Sequence, residues 1–172
     1  MEGFLFPDTY EISEGISCDD FVITMLSNFE RKMIPELKSQ MQEKGKSVFE
    51  IITMASMLEK EVRSLEDKKI VSGILWKRME AGMPLQIDAT VNYITDKSDP
   101  GVSIKDTKID SPYNTYKYPG LPKGPISNPG MDSIIAALEP IKTSYWFYLS
   151  DGTTHFSKTL QEHAANKAKY LD

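Results

Sequence analysis

Apolar residues recur three and four positions apart through most of the first half of the chain, a spacing that predicts a run of amphipathic helices. Phe21, Val22, Met25, Leu26 and Phe29 give the first its apolar face, and Ser17 with Asp20 supplies a cap at its start. Pro35 opens a second helical segment that Gly45 ends. Ser47 and Glu50 form a capping box for a third, which runs to about Ser64, and Ile70, Val71, Ile74, Leu75 and Arg78 mark a fourth over roughly 66–81. Short helices are expected from Asp88 and over Asp132–Leu138. Two stretches change period: residues 1–12 read as a strand, and "SYWFYLS", "DGTT" and "HFS" read as strand, turn and return strand. Thr159 and Glu162 then cap a terminal helix. Capped helices followed by a late hairpin predict one mixed α+β domain over residues 1–172.

One position departs from the pattern. At about 100° per residue from Val48, Glu59 falls near 20°, inside the apolar stripe of Ile52, Ala55 and Val62, whereas Glu61 falls near 220°, on the solvent side with Glu50. A carboxylate among apolar neighbours is either a structural charge paired with a cation or with backbone amides, or a group lining a cleft whose proton affinity is raised by desolvation. The wheel alone leaves both open. Arg63 is the nearest cation in sequence.

Composition removes several function classes. Lysine and arginine total 20 against 25 acidic residues, for a net charge of -5, and no basic block stands out, so nucleic acid is not the expected partner. The two histidines, His155 and His163, join no ligand cluster, and neither a phosphate-binding loop nor a dinucleotide motif is present, so no metal or other cofactor is expected. A lone Cys18 excludes an intrachain disulfide and is read as a partly buried small residue, and Trp76 is read as core. No apolar run approaches the roughly 20 residues of a membrane span. Entry straight into "MEGFLFPDTY" is read as a piece cut from something longer. Between Ser111 and Gly130 five prolines and three glycines hold a stiff loop that displays Tyr113, Asn114, Tyr116 and Tyr118, consistent with one wall of a groove.

The segments "EGFLFPDTY", "ASMLEKE", "GMPLQIDATVNY", "SPYNTYKYPGLPKGPISNPG", "SIIAALEP" and "DGTTHFSKTLQEH" resemble, in this order and over nearly the whole chain, the YceG-like family of endolytic murein transglycosylases. The resemblance implies an enzyme acting on peptidoglycan glycan strands at the bacterial cell membrane, its catalytic domain extracytoplasmic. An N-terminal anchor and most of a LysM-like region would lie outside this chain, and the cell-wall synthesis machinery would be a further partner. It implies that the first Glu of "EKE", Glu59, is the catalytic acid and then base, producing 1,6-anhydromuramoyl ends. Glu61 then takes a salt bridge or a substrate edge, and Gln86, Asp88, Tyr113, Asn114 and Thr115 are expected to hold sugar hydroxyls, acetamido groups or peptide, with His155 at the rim. Structural alternatives stand beside these: Asp88 as a helix cap, Asn114 as a turn residue, His155 as part of the hairpin. Ala89 replaces the family's usual proline in "LQIDATV", and "DGTTHFS" is shorter than the common form. Two other functions remain open, a peptidoglycan-binding module without catalysis and a muramidase that uses Asp88 as a second carboxylate.

Overall fold

A computed structural model of the chain describes residues 1–95 and 101–171. In chain order the elements are α1 (Cys18–Lys32), α2 (Pro35–Glu43), α3 (Val48–Glu61), α4 (Leu65–Glu80), α5 (Asp88–Thr95), a single 3-10 turn at Asp106–Lys108, α6 (Met131–Leu138), β1 (Phe147–Ser150), β2 (Thr154–Ser157) and α7 (Leu160–Tyr170). The fold is therefore α+β, with two antiparallel strands paired Phe147 to Ser157 and Ser150 to Thr154.

The helix starts follow from local chemistry. Ser17, Ser47, Ser64 and Thr159 each accept a hydrogen bond from a backbone N–H in the first turn, and the box at Ser47 is complete because Glu50 reaches back to the Ser47 N–H. Ser64 thus opens α4, and α3 ends three residues sooner than its apolar pattern suggests. At Thr159 the reciprocal bond is displaced, since Glu162 accepts from the Lys158 N–H.

The core forms around α3, which is buried on every side from Ile51 to Leu58. Helix α6 packs against both α3 and α4, and its Ala136 and Ala137 are almost wholly enclosed. Close approach is enforced at Gly73 of α4, where a Cβ would stand 2.0 Å from the Ile141 carbonyl oxygen. Trp76 sits in this core at 7% exposure with Nε1 donating to Ala137 O at 3.0 Å, as expected for a packed indole.

Residues 1–12 form no strand. The Gly3 and Leu5 N–H groups are taken by the side-chain oxygen of Asn128 at 2.8 and 3.1 Å, so the segment is tied to the Pro-rich loop instead of to a neighbouring strand, and Phe6 is buried. Gly3 is required at that contact: at φ 90° a Cβ would lie 2.5 Å from Pro125 Cγ. Cys18 is exposed at the start of α1, contrary to the partly buried reading. Among the described residues no helix is long and apolar enough to cross a membrane.

Candidate active site

A cavity of about 430 Å³ opens where the end of α3 meets α4, the start of α5, the Pro-rich loop, β1 and α7. Glu61, Asp88, Gln86 and Tyr116 line it, and Lys60, Arg78, His163 and Lys167 contribute charge or ring nitrogens. Phe147, Tyr148 and Leu149 of β1 add apolar wall. Flat aromatic surface beside a few polar groups suits a sugar or peptide ligand.

Glu61 is therefore not solvent-facing, as its helical phase suggests. Tyr148 of β1 and the start of α5 meet Glu61 at the last turn of α3, so the 220° direction points into a polar cavity. Burial pushes the Glu61 carboxyl up to about 7; the hydroxyl of Tyr148, which donates to it at 3.0 Å, opposes this, the charge of Asp88 adds to it, and the Ala89 N–H opposes it. Asp88 accepts from the Tyr116 hydroxyl, whose own proton affinity is raised by burial and by this carboxylate. Asp88 is the first residue of α5 and not its cap, because Glu61 and the Ile87 carbonyl engage that helix start. Gln86 lines the cavity at φ 55°, a left-handed conformation unusual for a side chain of this size, and its N–H donates to Thr115 O at 3.0 Å.

Glu59 occupies a different environment. It does not line the cavity; its Oε2 accepts from Ser133 Oγ at 2.5 Å, from the Gly130 N–H at 3.2 Å and from Lys68 Nζ at 3.3 Å. Lys68 is the cation in place, and Arg63 is exposed. Burial pushes the Glu59 carboxyl up, but Ser133, Gly130 and Lys68 together outweigh it and hold the group below the usual carboxylate range. Glu59 does sit beside the Pro-rich loop, as a charge locking α3 to the start of α6.

The remaining expected residues divide cleanly. Gln86 and Asp88 join Glu61 in the cavity. Asn114 is 1% exposed, donating to the carbonyls of Thr107 and Ile109 at 3.1 and 2.8 Å and accepting from the Tyr116 N–H. Thr115, equally buried, accepts from the Ile87 N–H and shares a hydrogen bond with Thr90. Tyr113 packs on Tyr93 at 5.0 Å between ring centres, and His155 stacks on Tyr170 at 3.7 Å and pairs with Asp151 at 3.2 Å. None of these four lines the cavity. Sequence reasoning put Tyr116 on a groove wall but missed Arg78, Tyr148 and His163; of these Arg78 carried a signal, a charge four residues from Ile74 and eight from Ile70 on the apolar phase of α4.

Comparison with known proteins gives a consistent result. The chain is 41% identical over 174 residues to an endolytic murein transglycosylase of Bacillus subtilis, covering 99% of this chain and 48% of that protein. It is 32% identical over 180 residues to one of Streptococcus pneumoniae strain D39, covering 100% and 32%. The crystal structure of a yceG-like protein from Listeria monocytogenes superposes with a TM-score of 0.89 at 36% identity, covering 96% of this chain and 55% of that one. The chain thus spans about half the length, or less, of the relatives it matches. With the sequence model of the YceG-like family matching residues 1–169, the chain belongs to that family.

Proposed function

We propose that this domain carries the cleaving site of an endolytic murein transglycosylase, and that Glu61, not Glu59, is its acid and base. The observation that carries this reading is a carboxyl in an aromatic-walled cavity with its proton affinity raised to about 7. An acid of that strength is about half protonated near neutrality and gives up its proton without a large penalty. Glu59, held by three donors, is poorly suited to that exchange.

In the proposed reaction Glu61 protonates the glycosidic oxygen between N-acetylmuramic acid and N-acetylglucosamine. The C1–O bond breaks with positive charge building at the muramoyl C1. The resulting Glu61 carboxylate takes the proton of the muramoyl C6 hydroxyl as that oxygen closes on C1, leaving a 1,6-anhydromuramoyl end and consuming no water. Tyr148 donates to the Glu61 carboxylate and steadies it between the two transfers, and Asp88, held by Tyr116, places negative charge near the developing cation. General acid-base assistance of this kind is worth about 100 to 10,000-fold in rate. Murein lies outside the cytoplasmic membrane, so the proposal puts the domain there, attached through a longer protein.

Two carboxylates in one cavity also favour a second reading, in which Asp88 activates water and the domain is a muramidase. Digesting polymeric peptidoglycan in oxygen-18 water and weighing the new ends separates them. Unlabelled anhydro ends are expected, and heavy oxygen at the muramoyl reducing end would overturn the lytic route. Glu61→Gln should abolish turnover while Glu59→Gln retains it in the molecules that remain folded; the reverse result would return the catalytic role to Glu59. Binding without any new ends from a wild-type protein that includes the preceding region would leave only a binding module.

A further inference from the structure

The cavity is also lined by basic side chains that the proton transfers above do not use. Lys60 of α3, Arg78 of α4, and His163 and Lys167 of α7 line it from three helices, and Arg78 and Lys167 both lie close enough to His163 to act on its charge. Arg78 is 5% exposed, and its Nη1 donates to the Leu85 carbonyl at 2.8 Å. Its Nε is buried without a hydrogen-bond partner, and none of the ion pairs among the described residues includes it. A guanidinium in this state has lost its water and gained only part of a replacement, which is costly unless an anion completes the shell. Nδ1 of His163 is also buried and unpartnered, in a ring stacked 5.3 Å from Phe147, the same ring that lies 5.0 Å from the Arg78 guanidinium carbon.

We propose that this basic lining of the cavity binds a carboxylate of the peptide stem on the muramoyl residue being cleaved, with the guanidinium of Arg78 as its main donor. The proposal rests on the murein reading above and adds to it a requirement for an anionic stem. The guanidinium fork matches a carboxylate with parallel hydrogen bonds where an ammonium offers only a point charge. Lys60 and Lys167, both exposed, add long-range attraction at the mouth. Phe147 supplies apolar surface against which the peptide backbone lies. A bound stem then fixes the sugar ring relative to Glu61, so the same contact that selects the substrate also orients it.

The test uses ligands with no glycosidic bond to cleave. Calorimetric titration of the full chain with N-acetylmuramoyl-L-alanyl-D-glutamate should show about tenfold tighter binding than with the diamide of the same dipeptide. Adding the dicarboxylate, and not the diamide, should shift the His163 imidazole resonances. The exposed pair Lys60→Gln/Lys167→Gln should narrow the preference, and Arg78→Lys, checked for folding by circular dichroism, should remove most of it. Equal affinity for the two dipeptides, or no binding of the dicarboxylate at millimolar concentration, would overturn the proposal. N-acetylmuramic acid binding as tightly as the dicarboxylate would overturn the assignment to the stem and move it to the lactyl carboxylate. Because no ligand here is turned over, a wild-type protein that discriminates but cuts no strand would contradict the catalytic reading alone.

Discussion

Glu61 and Glu59 should respond to pH with opposite sign, and that difference is large enough to measure in stability alone. Ionising Glu61 in its cavity is penalised, its proton affinity rising from an ordinary 4.5 to about 7. At 1.36 kcal/mol per decade this corresponds to about 3 kcal/mol. Below 4.5 the group is protonated whether the chain is folded or not, and the penalty is absent; it grows as pH rises from 4.5 to about 7 and is constant above. Glu61→Gln keeps an acceptor for the Tyr148 hydroxyl and cannot ionise. The variant should match wild type at pH 4 and exceed it by up to about 3 kcal/mol at pH 8, roughly 6 to 12 °C in Tm for a chain of this size. Glu59 behaves the other way, because Ser133, Gly130 and Lys68 hold it below its ordinary value. Its stabilisation is present above 4.5 and is lost as pH falls through the depressed value, so Glu59→Gln should cost most near neutrality and least in acid. Urea unfolding of the two variants and wild type at several pH values from about 3 to 8, a range that reaches below the ordinary carboxylate value, gives the comparison directly. A Glu61→Gln protein no more stable than wild type at pH 8, or two variants with the same sign of pH dependence, would refute the environments assigned to both residues.

Two further substitutions separate scaffold from cavity. Asn114→Ala removes three hydrogen bonds and leaves the Thr107 and Ile109 carbonyls unpaired in the interior, which should cost about 2 to 4 kcal/mol in thermal or chemical unfolding while murein cleavage per folded molecule is retained. Gln86→Gly accepts the observed φ of 55° without strain, so stability should stay level or rise by up to about 1 kcal/mol, yet strand cleavage should fall because the cavity loses that amide.

What could be read from the chain depended on the distance over which each signal acts. The starts of α1, α2, α3 and α7 were legible because a cap joins residues three apart, or because Pro35 fixes one torsion. The hairpin was legible because its strands are neighbours in sequence. The N-terminal segment has alternating aromatic residues like a strand, but a strand needs an edge to join, and the Asn128 side chain more than a hundred residues away takes its N–H groups. Asn114 and Thr115 looked like ligand contacts because polar side chains in a stiff loop serve substrate or backbone equally well on paper. Only the positions of Thr107, Ile109 and Ile87 decide between those uses.

The two glutamates of α3 show why a helical wheel can find a carboxylate on the apolar side and still say little about how each charge is held. A wheel sorts residues by whether they face the apolar side, and it assumes that the other side meets water. Helix α3 violates that assumption, since residues 51–58 are buried around the whole circumference and Glu61 in the last turn faces a cavity. Both Glu59 and Glu61 are then half-buried, and what distinguishes them is how fully each charge is compensated. Glu59 has a hydroxyl, a backbone amide and an ammonium on one oxygen, enough to make the anion its settled form. Glu61 has one hydroxyl and one amide against its desolvation and a neighbouring carboxylate, so neither protonation state is strongly preferred near neutrality. Proton transfer in both directions requires that near-balance, and it arises from partners on α5 and β1 that no spacing within α3 encodes.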